Sequence, residues 1–270
     1  MMASSKQQVK RVFNEHVSDW VANYSDLKPR TVVTQICMSR RQFALEMVEA
    51  STPQGSKVLD AGCGTGAMAE ELIRRGYEVW GFDIAEAMVR YVHERFGQSR
   101  FRVGDIDHIP FPDNTFDAVV CLGVLAFLDA DEPALREIWR VLKPGGRAVL
   151  ATPSGIRPFY YMDRMLAGLM AATRPLYRFV KYRLLRRPKP QPQELRPQSL
   201  QRLYYRAGWL RRLRSVGLEP EDWVCHGWGW QTLEPFFEQG SLCRASDRFA
   251  RNPALNWLGW HQLVRVRAVK

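Results

Sequence analysis

Residues 58–66 constrain the fold of this chain more than any other stretch. They read Val-Leu-Asp-Ala-Gly-Cys-Gly-Thr-Gly, an apolar pair followed by an acid and by glycines at every second position. A short apolar run is typical of a buried parallel strand, and glycine lets a ligand approach bare backbone. An amphipathic helix is predicted from Ala67 onward. The order strand, glycine loop, helix predicts a nucleotide-type site at the carboxyl edge of a doubly wound sheet.

The spacing of the glycines separates two classes of nucleotide. A dinucleotide-binding loop has the spacing G-x-G-x-x-G, with its third glycine close to a pyrophosphate. Here the spacing is G-x-G-x-G, and Asp60 precedes it. An acid at this position would repel a pyrophosphate but could face the ammonium group of an amino-acid ligand. The pattern therefore disfavours an NAD-type dehydrogenase.

Three further strands are predicted, at residues 78–82, 101–105 and 116–122. Asp83 follows the first of them and Asp105 ends the second. An acid after the second strand of such a sheet suits a bidentate hold on ribose hydroxyls. The structural alternative for Asp83 is an N-cap of the helix that follows. Asp105 could accept the adenine amino group, with Ile106 against the ring face.

These segments, together with residues 135–150, resemble the class I S-adenosylmethionine-dependent methyltransferases. The closest resemblance is to the branch that includes the quinone-biosynthesis methyltransferases, and it covers roughly residues 56 to 153. It implies S-adenosyl-L-methionine as the cofactor. It also implies a Rossmann-like α/β fold with a seven-stranded, mostly parallel sheet and helices on both faces. The last strand is expected to be antiparallel, and a helical insertion to separate strands five and six.

The resemblance also implies a set of cofactor-binding residues. Asp60, Gly62 and Gly64 would surround the methionine part, Asp83 would bind the ribose, and Asp105 with Ile106 would lie at the adenine. The rest of the expected set is Cys63, Gly66, Ile84 and Leu122, the last of these at the end of the fourth strand. Cys63 fills a variable loop position and is interpreted as a small apolar residue, not as a nucleophile.

Four regions are predicted along the 270 residues. Residues 1–55 would form an N-terminal helical cap, and residues 56–153 the cofactor-binding core. Residues 154–215 would form a basic helical insertion that ends in a helix at 200–215. Residues 216–270 would complete the sheet with strands at 218–226 and 264–268, since apolar and charged residues alternate in the last of these.

The acceptor site is expected outside the cofactor motifs. A helix is predicted over residues 9–24, where Trp20 and Tyr24 are either core residues or part of a lid over the acceptor. The tryptophans of residues 228–260 likewise either complete a core or line an apolar pocket. Tyr24 and His226 are the candidate catalytic residues. His226 is the first candidate for a general base, before His16 and His261, and the alternative is an ordinary structural histidine. Arg40 and Arg41, near the start of a helix predicted at 39–50, would contact a carboxylate or remain solvated.

The positive charge of the chain is local. Residues 151–215 contain fifteen Lys or Arg against two acids, whereas the whole chain carries a net charge of +11. Apolar residues alternate with the basic ones at helical spacing, which fits first a helical lid packed on the pocket with its charges in water. The alternatives are contact of residues 157–187 with an anionic membrane surface and, less favoured, a nucleic-acid partner.

We therefore expect a methyltransferase that acts at oxygen or carbon of a small or medium, apolar acceptor. The alternatives are an RNA methyltransferase that uses the basic insertion and a non-catalytic, cofactor-binding regulator. The fourth strand continues as Cys121-Leu-Gly-Val, without the Asn-Pro-Pro-Tyr typical of nucleobase amino methylation. No metal site is predicted. Five scattered cysteines and the lack of an apolar leader or span predict a cytoplasmic protein, with peripheral contact at the inner membrane face.

Overall fold

The fold is known from a computed structural model. It describes residues 5–18, 20–21, 32–97, 100–156, 161–162, 165, 183, 202–227, 247–252 and 259–270. Most of the predicted basic insertion lies outside the described residues. So do Tyr24 and the predicted pocket tryptophans at 228, 230 and 257.

Seven strands form one sheet. They are β1 (Lys57–Ala61), β2 (Glu78–Asp83), β3 (Phe101–Val103), β4 (Phe116–Leu122), β5 (Leu142–Pro153), β6 (Leu218–His226) and β7 (His261–Ala268). Their order across the sheet is β3-β2-β1-β4-β5-β7-β6. Strands β1 to β5 pair in parallel, while β7 is antiparallel to both β5 and β6. The predicted fold class is therefore confirmed, including the antiparallel last strand.

The described helices lie between and before these strands. They are α1 (Ser5–Glu15), α2 (Val32–Glu49), α3 (Ala67–Arg74), α4 (Glu86–Phe96), α5 (Glu132–Val141) and α6 (Arg206–Ser215). A short 3-10 helix, Leu125–Phe127, follows β4. Within the described part of the chain, no helix is long and apolar enough to cross a membrane.

The core forms two layers, one on each face of the sheet. Side chains alternate along β1, so that Leu59 belongs to one cluster and Val58 to the other. The first layer includes α5 and α6, whose buried residues Leu135, Ile138 and Trp209 are fully covered. The second layer includes α2 and α3. Because a parallel sheet is covered on both faces, ligands can reach it only at the edge where the strands end.

Several element boundaries differ from the predictions. Helix α2 begins at Val32 instead of residue 39, so Arg40 and Arg41 lie in the middle of the helix. Helix α1 ends at Glu15, and residues 17–18 and 20–21 are helical again after a break at His16. Strand β5 begins at Leu142, directly after α5, and Leu142 pairs with Phe116 before a register shift.

Helix α6 begins at Arg206, six residues later than the start predicted at residue 200. The backbone just before Arg206 makes tertiary contacts, and a helix that began at residue 200 would break them. Tyr204 pairs with Ser154 next to β5, and the Arg202 N–H donates to the carbonyl of Ala126 at 2.8 Å. The Tyr204 hydroxyl donates to the Leu125 carbonyl at 2.9 Å. These contacts fix the chain that returns from the insertion beside the carboxyl end of β5.

Candidate functional site

The glycine loop after β1 is held by the end of β2. The N–H groups of Gly62 and Cys63 both donate to the carbonyl of Phe82, at 2.8 and 3.0 Å. The Asp83 carboxylate then accepts from the Gly64 N–H and from the Ala85 N–H, each at 2.9 Å. The N-cap position of α4 is Ala85, and no side chain caps the helix, so Asp83 is not its N-cap. The Asp83 carboxylate instead joins two loops at the carboxyl edge of the sheet.

The glycines of the loop serve different purposes. Gly62 has φ +79° and a Cβ there would lie 2.3 Å from Val124 Cγ2, so this glycine is required by protein packing. Gly66, at φ +75°, is required by the ring of Phe96 on α4. Gly64 has φ +50°, yet a Cβ there would have no atom within 4 Å. Backbone is therefore exposed to open space at Gly64, as close approach of a ligand requires.

Asp60 is a buried acid, and it forms no ion pair with the residues that the structure describes. Its side chain is almost fully covered, and its Oδ2 has no hydrogen-bond partner among the described residues. Burial, reinforced by the negative charge of Asp83, raises the pKa of Asp60 to about 7. A buried carboxylate is stable only when a donor or a cation compensates it. Asp60 is thus suited to the ammonium group of an amino-acid ligand.

Cys63 has the properties of a packing residue. It is buried, and it contacts the position that a Cβ of Gly81 would take, at 3.2 Å. Burial and the charges of Asp60 and Asp83 raise the pKa of its thiol well above the ordinary value. Since only a thiolate is an effective nucleophile, the geometry agrees with the interpretation of Cys63 as a small apolar residue.

The predicted adenine end of the site is occupied by a lysine from α1. Lys6 Nζ lies 2.7 Å from Asp105 Oδ1 and also pairs with Asp107. Burial raises the pKa of Asp105, but the hydrogen bond and charge of Lys6 outweigh it, and the net pKa is lowered. Ile106 beside it is buried, while Ile84 and Leu122 are partly exposed. The sequence carries no signal for Lys6, because its partners lie about a hundred residues away.

Helix α1 lies along the edge where these acids are found. The Asn14 side-chain oxygen accepts from the Ala87 N–H at the start of α4, at 2.9 Å, and Lys10 pairs with Glu86. Phe13 stacks on Trp20 with 5.1 Å between ring centroids, and also contacts Phe127 just beyond β4. Trp20 therefore belongs to an aromatic cluster beside the end of β4. Tyr24, the other lid candidate, lies outside the described residues.

His226 ends β6 at the same carboxyl edge. In the register of the sheet it pairs with His261 of β7, which pairs in turn with Pro153 at the end of β5. His226 is fully buried against Phe43, and neither ring nitrogen has a hydrogen-bond partner among the described residues. Burial, with a contribution from the charge of Arg40, lowers the pKa of His226 to about 3. The imidazole is thus neutral at physiological pH and accepts protons weakly.

The arrangement fits the cofactor that the sequence predicts. The buried carboxylate oxygen of Asp60, which no described residue hydrogen-bonds, suits an ammonium group, and the open space at Gly64 suits a ligand lying on the loop. Each oxygen of Asp83 accepts one backbone N–H and keeps capacity for a further donor, such as a ribose hydroxyl. Donors and acceptors of the expected kinds therefore meet at one edge. The roles of the individual residues remain predictions.

The glycine loop generates the first experimental prediction. Replacing Gly62 with Ala is expected to destabilise the protein by about 1–3 kcal/mol, because the new methyl group collides with Val124 at a strained φ. Replacing Gly64 with Ala is expected to cost only about 1 kcal/mol, from φ alone. Its methyl group would nevertheless weaken S-adenosylhomocysteine binding more than tenfold. Thermal unfolding and calorimetry measure the two effects, and a Gly64→Ala variant with normal affinity would contradict this assignment.

The pKa of Asp60 generates the second prediction. Only the ionised carboxylate attracts an ammonium group, so below pH 7 ligand binding must release the proton of Asp60. Affinity for S-adenosylhomocysteine should therefore fall by about tenfold per pH unit as pH decreases below 7. An Asp60→Asn variant should bind weakly with little pH dependence between pH 5 and 7.5. Equal pH dependence in the variant and the wild type would show that another group is responsible.

The Lys6 contact generates the third prediction. If Asp105 accepts the adenine amino group, the ligand competes with the Lys6 ammonium for the same oxygens. The pair is partly exposed and contributes at most about 1 kcal/mol. Lys6→Ala should therefore raise S-adenosylhomocysteine affinity by up to about fivefold and reduce its salt dependence. Lys10→Ala, which removes the exposed contact with Glu86, is the control. Weaker binding by Lys6→Ala would instead mean that α1 holds the ligand in place.

Known proteins resemble this chain in sequence. The family model described as a methyltransferase domain matches residues 59–150. A demethylmenaquinone methyltransferase of Thermobifida fusca is 37% identical over 154 residues, which are 55% of this chain and 64% of that protein. A ubiquinone/menaquinone biosynthesis C-methyltransferase of Desulfotalea psychrophila is 33% identical over 181 residues. That match covers 62% of this chain and 72% of that protein.

Solved structures share the fold at lower sequence identity. The [4+2]-cyclase SpnF superposes with a TM-score of 0.62 and 20% identity, over all of this chain and 98% of that one. At this identity the likeness shows the fold alone, and that protein is described as a cyclase. The family assignment therefore depends on the sequence relatives. They confirm the predicted resemblance: the chain belongs to the S-adenosylmethionine-dependent methyltransferase family that includes the quinone-biosynthesis C-methyltransferases.

Proposed function

We propose that this protein transfers a methyl group from S-adenosylmethionine to carbon or oxygen of a small or medium, apolar acceptor. The observation that carries the proposal is the buried Oδ2 of Asp60, which has no hydrogen-bond partner in the described part of the chain, beside the open backbone of Gly64. Both lie next to Asp83, at the edge where a doubly wound sheet binds ligands. When bound there, the cofactor supplies an electrophilic methyl group on a sulfonium.

Each proposed contact has a distinct physical role. Asp60 would bind the ammonium group and Asp83 the ribose hydroxyls, which fixes the two ends of the donor against the loop. Asp105 and Ile106 would hold the adenine once Lys6 is displaced. Alignment of two reactants can supply about 7–11 kcal/mol of the barrier in favourable cases, so precise holding of the donor is a large part of such catalysis.

The acceptor half of the site would lie across the ends of β4, β5 and β6. The aromatic cluster of Phe13, Trp20 and Phe127 borders it on one side, and the buried His226 on the other. Apolar surroundings of this kind favour an acceptor with a ring system or acyl chain. The relatives are named for quinone precursors, which have this character. The chain spans 64% of the length of the Thermobifida fusca relative. The proposal therefore names the chemical class of the acceptor and not an individual compound.

His226 is unsuited to act as a strong general base, because its pKa is about 3. It can still accept a hydrogen bond from an acceptor hydroxyl as a neutral imidazole. Because His226 would not remove a proton, the nucleophilic group of the acceptor would have to be ionised before the methyl transfer. The alternatives, an RNA methyltransferase and a non-catalytic regulator, are not favoured by the relatives found.

Direct assay tests the proposed function. The protein should transfer label from methyl-labelled S-adenosylmethionine to chemically reduced demethylmenaquinone or to another hydroxylated apolar ring. Asp83→Ala should raise the dissociation constant for S-adenosylhomocysteine by about 10- to 100-fold, the effect of a lost charge-assisted hydrogen-bond pair. Asp113→Ala, which removes an exposed carboxylate that pairs with Arg140, is the control. Preferential binding of NAD by the wild type would contradict the whole assignment.

We propose further that the basic insertion contacts an anionic membrane surface, where an apolar acceptor would be dissolved. The described residues at its start are exposed apolar side chains, with exposed fractions of 56% at Tyr161, 45% at Met162 and 76% at Met165. Fifteen basic residues accompany them between positions 151 and 215. Exposed apolar groups beside clustered cations are the combination that favours an interfacial position.

Vesicle sedimentation tests this contact. The protein should sediment with vesicles of anionic phospholipid and not with neutral ones, and binding should fade as salt shortens the screening length to ~8 Å and below. Replacing Arg178, Lys181, Arg186 and Arg187 with Gln should abolish it. An equal loss of four positive charges on the catalytic domain should have a smaller effect. Binding to structured RNA in place of vesicles would support the RNA alternative.

A further inference from the structure

The segment between β3 and β4, residues 104–115, is held in place by side chains of α5. It carries Asp105 and Ile106, which the proposed function assigns to the adenine, and it contains only turns, bends and one isolated bridge. Ile109 of this segment is buried in the same apolar layer as Ile106. Its N–H donates to Glu137 Oε2 at 2.8 Å. A side chain of α5 thus provides the acceptor that a neighbouring strand would provide in the sheet.

Arg140, nearly one turn after Glu137 on α5, completes this contact. A guanidinium has five N–H donors in fixed geometry, and all five of Arg140 are used. Nε and Nη2 donate to the two carboxylate oxygens of Glu137, at 2.7 and 2.8 Å. The other donors bind the carbonyls of Ile109 and Phe111, each at 3.0 Å, and the exposed carboxylate of Asp113. We call Glu137 and Arg140 the loop clamp.

The loop clamp acts on the adenine end through Pro110, which lies between the two carbonyls that Arg140 binds. A Cβ placed on Gly104 would lie 2.8 Å from Pro110 Cγ, so only glycine lets the segment close over the end of β3. The Gly104 N–H donates to the carbonyl of Asp83 at 3.0 Å. Because Gly104 directly precedes Asp105, a shift of the clamped backbone would move Asp105 and strain the tie to Asp83.

The two side chains of the loop clamp are mostly buried and oppositely charged. The hydrogen bond from Arg140 lowers the pKa of Glu137, so the carboxylate stays ionised as its partner does. Solvent and salt screen such a pair less than they screen the exposed pair of Glu132 and Arg136 at the start of α5. The loop clamp is therefore suited to keep the segment in one conformation.

We propose that Glu137 and Arg140 are positioning residues that fix Asp105 for recognition of the exocyclic amino group of adenine. This inference rests on the proposed function and deepens it. Neither residue touches the ligand, because both act through the backbone of Ile109 and the packing of Pro110. A carboxylate held in this way accepts a hydrogen bond from an amino group and repels the carbonyl oxygen that hypoxanthine has at the same position. The loop clamp thereby sets the preference of the site among purine bases.

Base preference measures this role separately from stability. The probes are S-adenosylhomocysteine and S-inosylhomocysteine, in which oxygen replaces the exocyclic amino group. The wild-type protein should bind the adenine compound at least about tenfold more tightly, the scale of a charge-assisted contact. In Glu137→Ala this ratio should fall below about threefold, because Asp105 is no longer held in position. Glu137→Gln should keep most of the ratio, since its side-chain oxygen still accepts from the Ile109 N–H.

Arg140→Lys tests the other half of the loop clamp. It keeps the positive charge but lacks the planar fork, so the ratio should fall as in Glu137→Ala. Arg136→Ala is the matched control, because it removes another arginine of α5, whose partner Glu132 is exposed. It should keep the wild-type ratio. Calorimetry measures the affinities, and thermal unfolding identifies the folded variants. If Glu137→Ala does not fold, Arg140→Lys decides.

A clamp with a structural role alone would lower both affinities equally and leave their ratio unchanged. That result in a folded Glu137→Ala or Arg140→Lys variant, or a wild type without base preference, would overturn the inference. An active methyltransferase with this result would keep the proposed function. The expected ratios in a protein that transfers no methyl group to any acceptor tested would contradict the proposed function, while the loop clamp would keep its positioning role.

Discussion

The site depends on the hydrogen bonds that tie the glycine loop after β1 to the end of β2. One carbonyl, that of Phe82, accepts from Gly62 and Cys63, and one carboxylate, that of Asp83, accepts from Gly64. These bonds force the backbone into left-handed conformations that only glycine adopts cheaply. As a result, backbone is bare at Gly64 while Asp60 is held beneath the surface. Loss of this tie would release the loop on which every proposed donor contact depends.

Helices α1 and α2, which precede β1, define the environment of this loop from outside. Helix α1 brings a cation, Lys6, to the acids at the predicted adenine end, and α2 brings a second one, Arg40, to the end of β4. Lys6 thereby balances the charge of Asp105 and Asp107, which burial would otherwise penalise. A reactant that enters must replace or use these contacts. Salt and pH are therefore expected to act on ligand binding more than on the fold.

The two halves of the sheet contribute different chemistry. Strands β1 to β4 end in acids and glycines, whereas β5, β6 and β7 meet at Pro153, His226 and His261. His226 is neutral because it is buried, and Asp60 is hard to ionise for the same reason. Exclusion of water thus favours the neutral form of both groups, because it lowers the pKa of the imidazole and raises the pKa of the carboxyl group. Such a dry edge suits a reaction in which an anionic or polarised nucleophile meets a cationic donor.

The sequence by itself determined the family, the fold class and the order of the acids, because local patterns encode them. Strand, glycine loop and helix are contiguous, and each acid directly follows its own strand. Tertiary structure decided which residues surround those acids. Lys6 meets Asp105 across ninety-nine positions, and Arg40 on α2 meets Gly123 at the end of β4, which is also distant in the chain. The burial that sets the pKa of His226 likewise comes from elements that are distant in the chain. A local sequence pattern does not show how deeply a side chain is buried.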